Sequence, residues 1–255
     1  VDGSCNGLQN FSAMLRDPIG GKAGNLIPQE TPNDIYERVA EVARKKVKAD
    51  ALDGNAWGLL WDTYGFDRKA TKRPVMCLPY GVTQHSARQY VYDYIVDRGE
   101  RPWSEEEDFK AATYLTRHIW SSIGEVVIAA RTAMDWLQTV ARISTLEDVP
   151  TNWTTPCGFP VLQAYYDMKK CKVKTSLGDG VLVYSILQEE DQTKLNRGKQ
   201  SSAISPNFVH SMDAAALMIS VHKAKAVGIK HFGMVHDSYG TLAADMDSMA
   251  VCPRE

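Results

Sequence analysis

Residues 67–81 read DRKATKRPVMCLPYG, four cations in a segment of helical spacing that ends on an aromatic hydroxyl. Arg68 and Lys72 are four apart, so a helix sets them on one face, with Lys69 and Arg73 beside them and Tyr80 about two turns further on. From Asp67 to Arg88 the net charge is +4, the most basic stretch of the chain. Such a face suits a polyphosphate: a guanidinium clamps oxygens in a fork, and an ammonium acts as point charge and proton donor. Taken alone, a solvated basic surface helix has the same profile. Pro74 and Pro79 each remove a backbone donor, which predicts a kink or a loosened end.

Outward from this stretch the pattern is mostly helical. Thr31, Pro32 and Asp34 combine a cap, a first-turn proline and an acid, so a helix is expected to start there and to run through Ile35, Val39, Val42 and Val47 to about Ala51. Gly54 and Gly58 are expected to bracket a loop. Residues 84–96 read as another helix. Ser104 and Glu107 form a capping box ahead of the longest helical region, whose stripe Phe109, Ala112, Leu115, Ile119, Ile123, Val127, Ala130, Met134 and Leu137 runs to about Ile143. Beyond it the spacing alternates: VKTSLGDGVLVYSIL at 173–187 predicts a hairpin turning at Gly178-Asp179-Gly180. A helix over about 207–227 follows, then a strand at 230–235, a turn at His236-Asp237-Ser238 and a returning strand at 239–242. Helix-rich segments joined to a few antiparallel strands imply an α+β chain.

Composition sets the outer bounds. The 255 residues suffice for one large or two small domains. With 44% hydrophobic and 24% charged residues, a disordered, collagen-like or coiled-coil chain is excluded. The net charge of -2 announces neither a nucleic acid nor a membrane, and no window approaches 18 apolar residues. The five cysteines are scattered without a CxxC pair, which fits a reducing compartment better than a disulfide framework or a zinc site. The start, VDGSCNGLQN, carries no secretory signal, and the lack of an initiating Met leads us to expect a segment of something longer.

Two further constellations bear chemistry. In Asp2-Gly3-Ser4-Cys5-Asn6-Gly7 a carboxylate stands beside a permissive backbone whose carbonyl can also face a cation. In His236-Asp237-Ser238-Tyr239-Gly240 a tight turn pushes a carboxylate out at a sheet end. Each, alone, also reads as an ordinary Asp turn. Together, Asp2 and Asp237, 235 residues apart, form the kind of carboxylate pair that holds two Mg²⁺ ions where pyrophosphate is displaced in line.

The order of these elements resembles the single-subunit DNA-dependent RNA polymerases of bacteriophages and mitochondria. The acid segment, Arg68-x₃-Lys72-x₇-Tyr80-Gly81 and His236-Asp237 look like polymerase motifs A, B and C. DGSCNGLQNFSAMLRD, NDIY, TKRPVMCLPYGVT, NWTTPCGFPV at 152–161, PNFVHSMD and HDSYGT extend the likeness across nearly the whole chain. Related DNA polymerases carry Asp-Tyr in motif A and end motif C in Glu, where this chain has Asp2-Gly3 and Ser238, so RNA synthesis is expected. HDSYGT is closer to the phage branch.

The resemblance implies a right-hand polymerase fold, incomplete, with a small antiparallel sheet carrying the catalytic carboxylates. Residues 1–50 would be a palm portion with motif A, 51–150 a fingers portion with motif B, and 151–255 the remaining fingers and palm with motif C. No separate promoter-binding domain or thumb is expected. Asp2 and Asp237 would hold two Mg²⁺ ions with the Gly3 carbonyl. Lys72 would contact the phosphates and protonate pyrophosphate, and Arg68 would grip the triphosphate. Tyr80 would sense the ribose 2′-hydroxyl with His210 and Tyr36 in support, and His236 would lie beside the primer end. Implied partners are a DNA template, nascent RNA and ribonucleoside triphosphates, with no membrane, in a monomer of the host cytoplasm or, alternatively, of mitochondria. The competing readings are a non-catalytic nucleic-acid-binding remnant and a DNA polymerase of the related class.

Overall fold

The computed structural model describes residues 1–176 and 182–254, with side chains over 1–169 and 194–253. The expected turn at Gly178-Asp179-Gly180 lies outside the described residues. Helix α1 (Asn6–Leu15) leads into α2 (Pro18–Ala23), and α3 (Ile35–Leu52) is the first long element. Its cap is Asp34, whose carboxylate accepts the Tyr36 and Glu37 amides at 3.0 and 3.2 Å, so the helix starts later than Thr31. The reason lies in the preceding turn. Asn33 has its backbone amide and carbonyl bonded to the Asn25 side chain at 2.7 and 2.9 Å, which keeps 31–33 out of the helix.

The loop expected between Gly54 and Gly58 closes sooner, because α4 (Ala56–Tyr64) contains Gly58. Asn55 caps it, accepting the Gly58 amide at 2.9 Å, and a Cβ at 58 would come within 2.7 Å of the Ala51 nitrogen. Glycine there lets α4 lie directly against α3. The basic stretch forms α5 (Arg68–Cys77) with Pro74 inside it, then a single 3₁₀ turn over Leu78–Tyr80 that starts α6 (Gln84–Arg98) on a new course.

The capping box at Ser104 and Glu107 is present, but the long stripe is divided between α7 (Asp108–Val126) and α8 (Ile128–Ser144). Val127, at φ -119° and ψ 56°, breaks the helix while staying buried, so the stripe turns the corner without leaving the core. Leu115, Ile119 and Ile123 are fully buried in it, each worth about 1.5–3 kcal/mol relative to exposure. Phe109 does not join them. It is half exposed beneath the Arg88 guanidinium, 4.1 Å from the ring centroid.

A hairpin of β1 (Thr151–Thr154) and β2 (Pro160–Gln163) follows, then the antiparallel pair β3 (Tyr166–Ser176) and β4 (Leu182–Leu195). Helix α9 (Arg197–Ala226) is the longest element and starts ten residues before the expected Asn207. Its first part carries no apolar stripe. It is anchored by a polar exchange instead: Gln163 and Gln200 donate their amides to each other's carbonyls at 2.8 and 3.0 Å.

The final strands, β5 (Gly233–Val235) and β6 (Ser238–Gly240), are shorter than expected and join through His236 and Asp237 alone, before α10 (Met246–Val251). They sit over a small apolar cluster of Ala224, Ile229, Tyr239, Met249 and Cys252, separate from the main core built on α1 to α9. The chain is therefore a helix-rich α+β fold with small antiparallel sheets. Among the described residues no helix is long and apolar enough to cross a membrane.

Candidate active site

The two distant acidic segments meet on β6. Asp2 bridges Ser238 in antiparallel fashion, the Gly3 amide donates to the Asp237 carbonyl at 3.1 Å, and the Tyr239 amide donates to the Val1 carbonyl at 2.7 Å. Residues 1–3 thus run along β6 as a short third edge. A two-residue hairpin needs a left-handed first residue, and His236 supplies it at φ 52°, a conformation that histidine tolerates better than bulkier residues. This turn presents the Asp237 carboxylate over Gly3, where a Cβ would lie 2.7 Å from its Oδ2. Burial pushes the Asp237 carboxyl above its ordinary range, and the negative charges of Asp2 and Asp213 push it the same way, against its own amide and His236.

From this edge the other residues follow in contact order. Cys5, buried, caps α1 in a left-handed conformation, and its thiol lies near the Tyr36 hydroxyl. Burial raises the thiol's pKa, and burial with the neighbouring thiol raises that of Tyr36. The Arg68 guanidinium lies 4.9 Å from the centroid of the Tyr36 ring and is ion-paired with Asp34. Gly7 admits the 3₁₀ turn of Leu78–Tyr80, since a Cβ there would meet Pro79 at 2.6 Å and the Tyr80 ring at 3.3 Å. Tyr80 in turn stacks on His210 of α9, with centroids 4.9 Å apart and planes 22° from parallel. Its hydroxyl is pushed up to about 12, first by burial and then by the charge of Asp213.

Eight of the nine residues singled out in the sequence, Asp2, Gly3, Tyr36, Arg68, Tyr80, His210, His236 and Asp237, are joined in this way. Lys72 stands apart. It shares α5 with Arg68 but opens into a cleft of about 390 Å³ with Arg73, Tyr90 and Tyr94, which Arg68 does not line. Among the described residues it makes no ion pair, and its cleft is also lined by Asp67 and Asp97. Sequence reading passed over Cys5 and Asp213. Both sat inside quoted segments, and an acid three residues after His210, on the same helical face, was the signal for the second.

The donor set suits a hard divalent cation. Burial, and after it the charge of Asp2, raises the Asp237 carboxyl, and Gly3 beneath it leaves the space a side chain would fill. Among the described residues no group of three or more His, Cys, Asp or Glu side chains forms a closed metal cage. A two-carboxylate edge needs further oxygens from a substrate, as magnesium sites on phosphates do.

The chain is 36% identical to the DNA-directed RNA polymerase of Enterobacteria phage T3, covering all of this chain and 33% of that protein. It is 37% identical to the mitochondrial DNA-directed RNA polymerase 1B of Nicotiana tabacum, over all of this chain and 25% of that protein. With DNA-directed RNA polymerase 2A of the same plant it shares 35% identity and covers 76% of it. The chain thus spans about a third of the phage relative and a quarter of the mitochondrial one. The phage preference read from HDSYGT meets phage and organellar relatives at similar identity. The sequence profile of DNA-dependent RNA polymerase matches residues 1–255 without remainder, so the chain belongs to the DNA-dependent RNA polymerase family.

Proposed function

We propose that this chain is a catalytic-core part of a single-subunit RNA polymerase that extends an RNA 3′ end on a DNA template, releasing pyrophosphate. The observation that carries this reading is the pairing of Asp2 with Ser238 and of Gly3 with Asp237, within one connected set that ends on the Tyr80–His210 stack. In this reading residues 1–50 and the β5–β6 hairpin belong to the palm, and 51–150 to the fingers. Asp2 and Asp237, with the Gly3 carbonyl, would hold two Mg²⁺ ions. When bound, these would acidify the RNA 3′-hydroxyl and offset charge on the leaving phosphate.

The protein's own groups do the rest. Arg68 exchanges its Asp34 partner for a triphosphate, with the Tyr36 ring holding the guanidinium in plane. Lys72 reaches from its cleft to the β- and γ-phosphates and gives a proton to the leaving oxygen. Tyr80, kept neutral far above physiological pH, offers its hydroxyl to the ribose 2′-position while His210 fixes the ring from behind. His236 stands at the exposed rim where the primer end arrives. The partners are a DNA template, nascent RNA and ribonucleoside triphosphates, with a monomer as the working unit. The host cytoplasm is the setting for a phage source and an organelle for a plant-like one.

Fluorescence-detected binding of a labelled ribonucleoside triphosphate to the chain, with and without Mg²⁺, tests the reading. Binding that needs Mg²⁺ and is lost in Asp237→Asn supports it; equal binding by that variant overturns it. In extension of an RNA primer on a DNA scaffold, Asp2→Asn and Asp237→Asn each remove several kcal/mol of charge stabilisation, and a loss of roughly a thousandfold is expected.

A further inference from the structure

Asp213 lies one turn beyond His210 on α9, and its side chain is only 8% exposed. A carboxylate so buried is normally fully bonded, because its desolvation is otherwise uncompensated. Here Oδ1 has no hydrogen-bond partner among the described residues, while Oδ2 faces Nδ1 of His236 at 4.0 Å. The His236 side chain is the opposite case, 81% exposed on a turn held at a left-handed φ. Among the described residues, Asp213 is the one acid within ion-pair reach of that ring. Its charge is also felt at Tyr80, Tyr239 and Asp237, which places it between the proposed ribose pocket and the carboxylate edge.

We propose that Asp213 is a positioning residue for the polymerase site. It accepts a hydrogen bond from Nδ1 of His236, so that the neutral ring carries its proton there and turns an unprotonated Nε2 outward. A small rotation of the exposed ring closes the 4.0 Å gap. Which imidazole nitrogen bears the proton is set by the partner of the other, and an orienting carboxylate is the usual device for fixing it. The same contact ties the hairpin turn to the helix that carries His210, so Tyr80 and Asp237 are registered through one buried group. The catalytic meaning of this contact rests on the polymerase reading; the contact itself does not.

The test uses the chain labelled with ¹⁵N-histidine at about pH 8.5, about two units above the ordinary imidazole value. Long-range ¹H–¹⁵N correlations report the tautomer of each ring, and His236→Gln assigns the His236 signal. The expected result is Nδ1–H at His236 in the parent chain, a shift to Nε2–H in Asp213→Ala, partial retention in Asp213→Glu, and an unmoved His210 signal. The same His236 tautomer in the parent chain and in Asp213→Ala overturns the proposal. Should the alanine variant fail to fold, Asp213→Leu, of similar size and without an acceptor, is read the same way. In primer extension, Asp213→Asn is expected to slow turnover about tenfold at unchanged KM for the nucleotide, and equal turnover overturns the catalytic role. A parent chain that binds no nucleotide with Mg²⁺ refutes the polymerase reading while leaving the tautomer result standing, so the two failures are distinguishable.

Discussion

Tyr80 shows how much a single residue can carry here. Its ring is clamped between Gly7 of α1 and His210 of α9, and its hydroxyl stays protonated because burial and nearby acids oppose its ionisation. Tyr80→Phe keeps the clamp and deletes one hydrogen bond, worth about 1 kcal/mol. Selectivity for ribose over deoxyribose in nucleotide binding is expected to fall about fivefold, with ribonucleotide affinity little changed. Unchanged selectivity would remove Tyr80 from the sugar pocket. The identity of such residues was legible in the sequence because chemistry-bearing side chains stood in ordered motifs. Asp213 was not, because a buried acid on a helix looks like any other polar position until its missing partner is seen.

At the scale of elements, Asp34 holds two structures at once. Its carboxylate caps α3 and pairs with Arg68 of α5, binding the entry of the one to the start of the other across the intervening α4. Asp34→Asn keeps an oxygen for the cap but gives up the charge, so thermal stability is expected to hold within about 0.5 kcal/mol. The pair is partly exposed on both sides, which limits its worth to about 1 kcal/mol or less. Freed from it, Arg68 is expected to bind a labelled triphosphate about two- to threefold more tightly; weaker binding would show that Asp34 orients the guanidinium rather than competing for it. Helix existence was legible from periodicity for α3, α6, α7 and α8. Boundaries failed where tertiary bonds decided them: Asn33 was taken by Asn25, Gly58 was needed against α3, and the first turns of α9 were anchored by Gln200 rather than by apolar burial. The β1–β2 hairpin escaped notice for the same reason, since it is seated by Trp153, whose indole donates to Ser211 at 2.9 Å.

Across the whole molecule, buried tyrosines make stability sensitive to alkali. An unfolded tyrosine loses its proton near its ordinary value of 10.0, whereas folded Tyr80 keeps it to about 12. The folded state therefore binds more protons between those values, and stability falls as pH rises through that window, while below it the contribution is constant. Tyr36 and Tyr114 shift in the same direction. Urea midpoints at about pH 9 and about pH 11 are expected to show a decline that is smaller in Tyr80→Phe; an equal decline would assign the effect to the other tyrosines. The α+β class was legible from the change in spacing along the chain. The separation of a small second cluster from the main core was not, because its five members share no periodic pattern.

The edge formed by residues 1–3 against β6 has a kinetic corollary. A two-residue hairpin closes on its own within microseconds, but joining Asp2 to Ser238, 236 positions away, demands that the intervening polypeptide first condense. In the proposed reading, assembly of the site is thus a late product of folding rather than a local property of any segment, and mild denaturant is expected to abolish Mg²⁺-dependent nucleotide binding before the bulk of the helices melt.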